Sequence, residues 1–142
     1  KSNLRKYVRN KQFPWCGAFT SWVFHDIKPE IRKRYFPGTA GLYSWARNTP
    51  RLIKPENLQS GDIILLGPQG GDIDGDHIAM VDQVFPDHVT TYEGNTNYRK
   101  QPGNIYYIGV AHKTRPFAHS AKSPKTFRVL WGIRPLEEDY FK

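Results

Sequence analysis

The hydrophobic period of this chain changes once, near Gly61, and that change limits the folds open to it. Ahead of it, apolar residues recur at Trp15, Ala18, Phe19, Trp22, Val23 and Ile27, the i, i+3, i+4, i+7 spacing of one buried helix face. The spacing predicts a helix from about Cys16 to Ile27, halted before Pro29. Residues 1–12 read as a short basic helix or arm, and residues 30–36 as a further helical turn closed by Pro37 and Gly38. A short helix is expected from Ala40 to Arg47, with Leu42, Tyr43 and Trp45 as core rather than as a ligand platform.

Beyond Gly61 the apolar runs have strand length. Asp62 to Leu66, bounded by Gly61 and by Gly67-Pro68, reads as a buried strand. Residues 67–76 form a loop rich in Gly and Asp, followed by a strand from His77 to Val84 and a turn at Phe85-Pro86-Asp87. His88 to Asn95, Ile105 to Ala111 and Thr126 to Ile133 are further strands, the last two separated by a basic loop from His112 to Lys125. Helices followed by an antiparallel meander make an α+β fold. A length of 142 residues is that of one domain, 1–142, with a core sufficient without staples.

Cys16 is the only cysteine, which excludes a disulfide framework within the chain and any multi-cysteine metal site. Pro14 suits a first helical turn, so Cys16 falls at or just inside a helix N-terminus, beside the apolar stripe. Free N–H groups and the positive end of the helix dipole favour a thiolate there. The alternative is a small buried thiol that packs like alanine.

Side chains alternate along a strand, so Val89, Thr91, Glu93 and Asn95 share a face. A tight turn at 85–87 then brings His77 opposite or nearly opposite Asn95 and diagonal to Glu93. Three polar groups thus gather at one end of an otherwise apolar hairpin. A cysteine nucleophile needs an imidazole to take its proton, and the imidazole needs a third polar group to fix its tautomer. Cys16, His77 and either Glu93 or Asn95 are the candidate catalytic set. His25, His88, His112 and His119 have no such surroundings and read as surface or structural.

These residues also resemble a known family. Pro14-Trp15-Cys16, with Ala18, Phe19 and Trp22, is similar to the nucleophile helix of CHAP domains, the cysteine- and histidine-dependent amidohydrolase/peptidases of the NlpC/P60 superfamily. Gly61-Asp62-Ile63-Ile64, His77-Ile78-Ala79-Met80-Val81 and Glu93-Gly94-Asn95-Thr96 follow in the family's order, so the resemblance covers about residues 13–97. It implies a papain-like fold, with the cysteine helix packed on a small antiparallel sheet or half-barrel. It implies cleavage of an amide bond in peptidoglycan, either N-acetylmuramoyl-L-alanine or a bond within the stem peptide. Cys16 would attack, His77 would shuttle the proton, Glu93 (before Asn95) would orient the imidazole, and water would release a thioacyl-enzyme. The Cys16 N–H would serve the oxyanion, with Gln12 a candidate second donor.

The loop Gly70 to Asp76 is longer and more acidic than the family's. Asp72, Asp74 and Asp76 stand at alternate positions as in part of a calcium loop, but the bidentate Glu of such a loop is missing. The expectation is a turn or cleft lip, with no cofactor required and calcium as the lesser alternative. A net charge of +8 (21 basic against 13 acidic residues) reads either as a solvated basic face or as attraction to nucleic acid, anionic lipid or an anionic wall polymer. The basic residues are scattered rather than blocked together, so charge alone does not choose. Peptidoglycan is the expected substrate and an immunity or inhibitor protein a conceivable partner of a monomer. Neither nucleic acid nor a membrane is expected: no binding motif is recognised, and no apolar run approaches the roughly 20 residues of a span. The chain opens on Lys1 without a visible signal peptide, so it is expected to be excised from a longer protein whose export signal lies elsewhere. Delivery to the bacterial wall or periplasm would suit a phage lysin or a secreted antibacterial effector. The competing readings are a cysteine hydrolase or deamidase toxin acting on a protein, and a non-catalytic basic wall-binding module.

Overall fold

The computed structural model describes residues 26–31, 38–101 and 105–141, with the side chains of 95–101 and 105–110 outside that description. Residues 1–25, which hold the expected basic arm and all of the expected nucleophile helix before Asp26, Cys16 included, lie outside the described residues. Helix α1 (Thr39–Ala46) precedes six strands: β1 (Leu52–Ile53), β2 (Ile63–Gly67), β3 (His77–Val84), β4 (His88–Gln101), β5 (Ile105–Pro116) and β6 (Arg128–Ile133). They form one antiparallel sheet in the order β1-β6-β2-β3-β4-β5, a meander from β2 to β5 with β6 returning beside β2. The architecture is α+β, as the change of period predicts.

Strand β2 is the centre because its apolar run is uninterrupted. All five of its residues are buried, and each face feeds a different core. Ile63 and Leu65 join Ile27, Leu42, Ala46, Ile78 and Ile133, the cluster that α1 covers. Ile64 and Leu66 join Leu58, Ala79, Val81, Val89, Phe117 and Val129 on the other face. A strand with polar residues at alternate positions would leave one of these faces wet. Within α1, Leu42 and Ala46 face the core, Tyr43 packs against Trp131 and Arg51 lies over the Trp45 ring, so these aromatics are structural.

Three boundaries differ from the sequence reading. Ile27 is buried as its stripe requires, yet it forms a β-bridge with Tyr140, and its chain segment is not helical there. Strand β1 is two residues long, too short for any periodicity to reveal. Strands β4 and β5 run well past Asn95 and Ala111, because each supplies the other's backbone partners across 11 ladder pairs. The supposed basic loop therefore begins with β5 up to Pro116.

The loop before β3 is fixed by backbone contacts. Gly71 N–H donates to Pro68, Gly75 N–H to Asp72 and Asp76 N–H to Leu66, while the Thr39 hydroxyl donates to the Gly75 carbonyl. Gly75 has φ of +76°, and a Cβ there would stand 2.6 Å from the Leu66 carbonyl oxygen. Gly70 shares the positive φ, at +75°, but faces open space. The comparison separates strain from collision. Gly75→Ala is expected to lower stability by about 2–3 kcal/mol, and Gly70→Ala by about 1 kcal/mol, in urea titrations of the two variants.

Candidate active site

The β3–β4 hairpin sets the site through its register. Its turn pairs Val84 with Val89 and Gln83 with Thr90; Asp82 is then left out as a bulge, and pairing resumes at Val81–Thr91 and Met80–Tyr92. A one-residue slip exchanges the faces of a strand. Without the bulge Glu93 would share a face with Met80; with it, Glu93 lies on the face of His77, Ala79 and Val81. The inner pairs run in the register that places His77 across from Asn95. Side chains pin the bulge: Asp82 Oδ2 accepts from the Thr90 hydroxyl at 3.2 Å and lies 3.0 Å from His112 Nε2. The Gln83 N–H donates to the same Thr90 hydroxyl, and the Ser60 hydroxyl donates to the Asp82 carbonyl.

His77 opens β3 and is buried, 8% exposed, and Glu93 is wholly buried. Their side chains meet, with His77 Nε2 2.8 Å from Glu93 Oε1. Three further hydrogen bonds converge on the carboxylate. Arg115 donates from Nε to Oε2 at 2.8 Å and from its terminal nitrogen to Oε1 at 2.6 Å, and the Thr91 hydroxyl donates to Oε2 at 2.6 Å. Burial by itself would raise the Glu93 pKa. The Arg115 fork, with the hydrogen bonds from His77 and Thr91, more than offsets this and holds the carboxyl well below its usual range. An ionised carboxylate only accepts, so Nε2 of His77 carries a proton and, in the neutral ring, Nδ1 carries the lone pair.

Sequence reasoning brings His77 and Glu93 together and misses the groups that hold Glu93. Thr91 is placed on the right face without a role. Arg115 is read as one of many scattered cations, because the strand is ended at Ala111. The signal lay in parity: Ala111, Lys113 and Arg115 face the same way once β5 is extended, and they pair with Glu93, Thr91 and Val89. Cys16, Gln12, His25 and the Asn95 side chain lie outside the described residues. Of the other histidines, His88 bonds Asp87 and stacks on Phe85, His112 bonds Asp82 and packs against Tyr92, and His119 stacks on Phe117. Among the described residues no three His, Cys, Asp or Glu side chains, those of Asp72, Asp74 and Asp76 included, are grouped closely enough to hold a metal ion between them.

The Glu93 clamp has a pH signature. Its folded carboxyl titrates below the unfolded value of about 4.3, so it stabilises the fold above that pH. The contribution fades as pH falls from the unfolded value towards the folded one. Glu93→Gln, which leaves Arg115 without its counter-charge, is expected to lose about 3 kcal/mol at neutral pH. Its stability should also fall less steeply than the parent's between about pH 5 and about pH 3, the remaining slope coming from other depressed carboxyls such as Asp139. Denaturant melts across that range read both effects.

A family model described as the CHAP domain matches residues 8–95, more than half of the 142-residue chain. No curated protein and no solved structure matches it. The matched span contains Cys16, His77, Glu93 and Asn95, whereas Arg115 lies beyond it. CHAP domains are typically cysteine- and histidine-dependent amidohydrolases/peptidases, and membership points in general terms to amidase or peptidase activity on peptidoglycan. With 88 of its 142 residues matched, the chain belongs to the CHAP domain family.

Proposed function

We propose that this chain is a peptidoglycan hydrolase that cuts an amide bond by thiol chemistry on a papain-like fold. The observation that carries the reading is the buried His77–Glu93 pair, an imidazole with one nitrogen committed to an ionised carboxylate. Such a pair leaves the tautomer settled before substrate arrives, which a general base requires and a binding surface does not. On this reading Cys16 Sγ gives its proton to Nδ1 of His77 and attacks the amide carbonyl carbon. The tetrahedral oxyanion is met by the Cys16 backbone N–H at the helix start. Collapse breaks the C–N bond as the imidazolium returns its proton to the leaving amine, and a thioester remains on Cys16. Water, deprotonated by the same nitrogen, then hydrolyses the thioester.

Glu93 is assigned the third position ahead of Asn95, because a carboxylate stabilises the imidazolium as well as aiming it. No metal enters any step. The net charge of +8 suits an enzyme that approaches an anionic wall polymer, and delivery to the bacterial wall or periplasm accompanies that substrate. Purified peptidoglycan incubated with the chain should lose turbidity and release soluble muropeptides. Cys16→Ala should reduce release by on the order of a thousandfold or more while keeping its fold. Mass spectrometry of the new ends distinguishes muramoyl-alanine amidase from endopeptidase cleavage. If the native chain is inert on peptidoglycans of several types, a protein substrate or a binding role takes its place.

A further inference from the structure

Resting on the thiol–imidazole reading above, we propose that Arg115 is a positioning residue for His77. Its guanidinium fork decides which oxygen of Glu93 meets Nε2 and offsets part of the carboxylate charge that the imidazole experiences.

The geometry supports both parts. A carboxylate on a flexible stem can rotate, and a single hydrogen bond from the imidazole would not stop it. Arg115 engages both oxygens from one rigid plane, at 2.8 and 2.6 Å, and the Thr91 hydroxyl fills a further site on Oε2 at 2.6 Å. Oε1 is thereby turned towards Nε2, 2.8 Å away. The fork reaches Glu93 along β5 from four ladder pairs away on the same face, since Arg115 pairs with Val89 while Glu93 pairs with Ala111. Burial of Glu93 keeps water from competing for these oxygens.

The charge effect follows from the same contacts. Arg115 and His77 bond the same oxygen, at 2.6 and 2.8 Å, so each feels the other through it. Glu93 on β4 bonds the imidazole and Arg115 on β5 bonds that carboxylate, while Lys113 on β5 lies close enough to Glu93 and Arg115 to interact with both. Leu66, the neighbour of His77 on β2, is apolar, and Asp76 beside His77 in the chain is exposed. One carboxylate with two nearby cations favours the imidazolium less than a lone carboxylate would. The base is aimed firmly but kept from being overly basic, which suits a group that must both accept and return a proton.

Cys16 is the chain's only cysteine, so its alkylation by iodoacetamide reports the thiol–imidazole pair without any wall substrate. The rate should be measured against pH for the parent, His77→Ala, Arg115→Lys and Arg115→Met, beside kcat and KM on soluble peptidoglycan fragments. The parent should show two titrations belonging to the coupled pair, and His77→Ala should collapse them to one. Arg115→Met, which removes the charge, should move the upper titration up by about one pH unit. Arg115→Lys keeps the charge but loses the fork: it should leave that titration in place and lower kcat about tenfold to a hundredfold at unchanged KM. If folded Arg115 variants show parental titrations and parental kcat, the proposal is overturned while the dyad stands. If the parent itself shows one titration indifferent to His77→Ala, the thiol–imidazole reading falls and the proposal with it. Should Arg115→Met fail to fold, an unchanged kcat in Arg115→Lys is enough to overturn the positioning role.

Discussion

A carboxylate with no exposure to water is tolerable inside a protein only if every lone pair is answered and its charge is matched. Glu93 meets that condition through Arg115, Thr91 and His77. The requirement links three strands: β3 brings the imidazole, β4 the carboxylate and the hydroxyl, and β5 the guanidinium. Loss of any one contributor leaves a buried charge or dipole unanswered, so the ordering of the site and the pairing of these strands depend on each other. Among the described residues no buried side-chain nitrogen or oxygen lacks a partner.

The same device recurs where regular structure ends. Asp62, at the entrance to β2, accepts two hydrogen bonds from Arg134 just beyond β6, and one from the Gln59 N–H. Asp139 accepts two from Arg51, just after α1, and one from the Leu136 N–H. Each clamp ties residues 70 to 90 positions apart at points where backbone ladders have run out. Among the described residues Arg51, Arg115 and Arg134 are thus committed to carboxylates within the fold, and net charge alone says nothing about which basic residues face a polymer.

The hairpin shows how local chemistry decides what can meet. The 85–87 turn is followed by one register and the inner strand by another, and the bulge at Asp82 converts between them. Side chains on both strands hold that bulge, including the Thr90 hydroxyl, which accepts from Gln83 and donates to Asp82. The alignment of His77 with Glu93 thus rests on residues that make no contact with either. On the opposite side of the bulge Tyr92 and His112 stand at the surface, so the face exchange also settles which residues solvent sees.

Sequence by itself determined the α+β class, the buried central strand, the hairpin and the gathering of His77 and Glu93 at one end of it, because these follow from short-range periodicity and from the position of the turn. The uninterrupted apolar run of β2 has the length and the flanking Gly and Pro of a strand buried on both faces, and a turn at 85–87 brings a Glu-x-Asn back to the strand-opening histidine. Tertiary structure alone decided the roles of Arg115 and Thr91, the length of β5, and the two-residue strand β1. Arg115 is one cation among many until Ala111 is seen to pair with Glu93, and strand length depends on a partner that no local window contains. The bulge belongs with these: its one-residue shift is invisible to alternation, yet it determines the face on which the carboxylate lies.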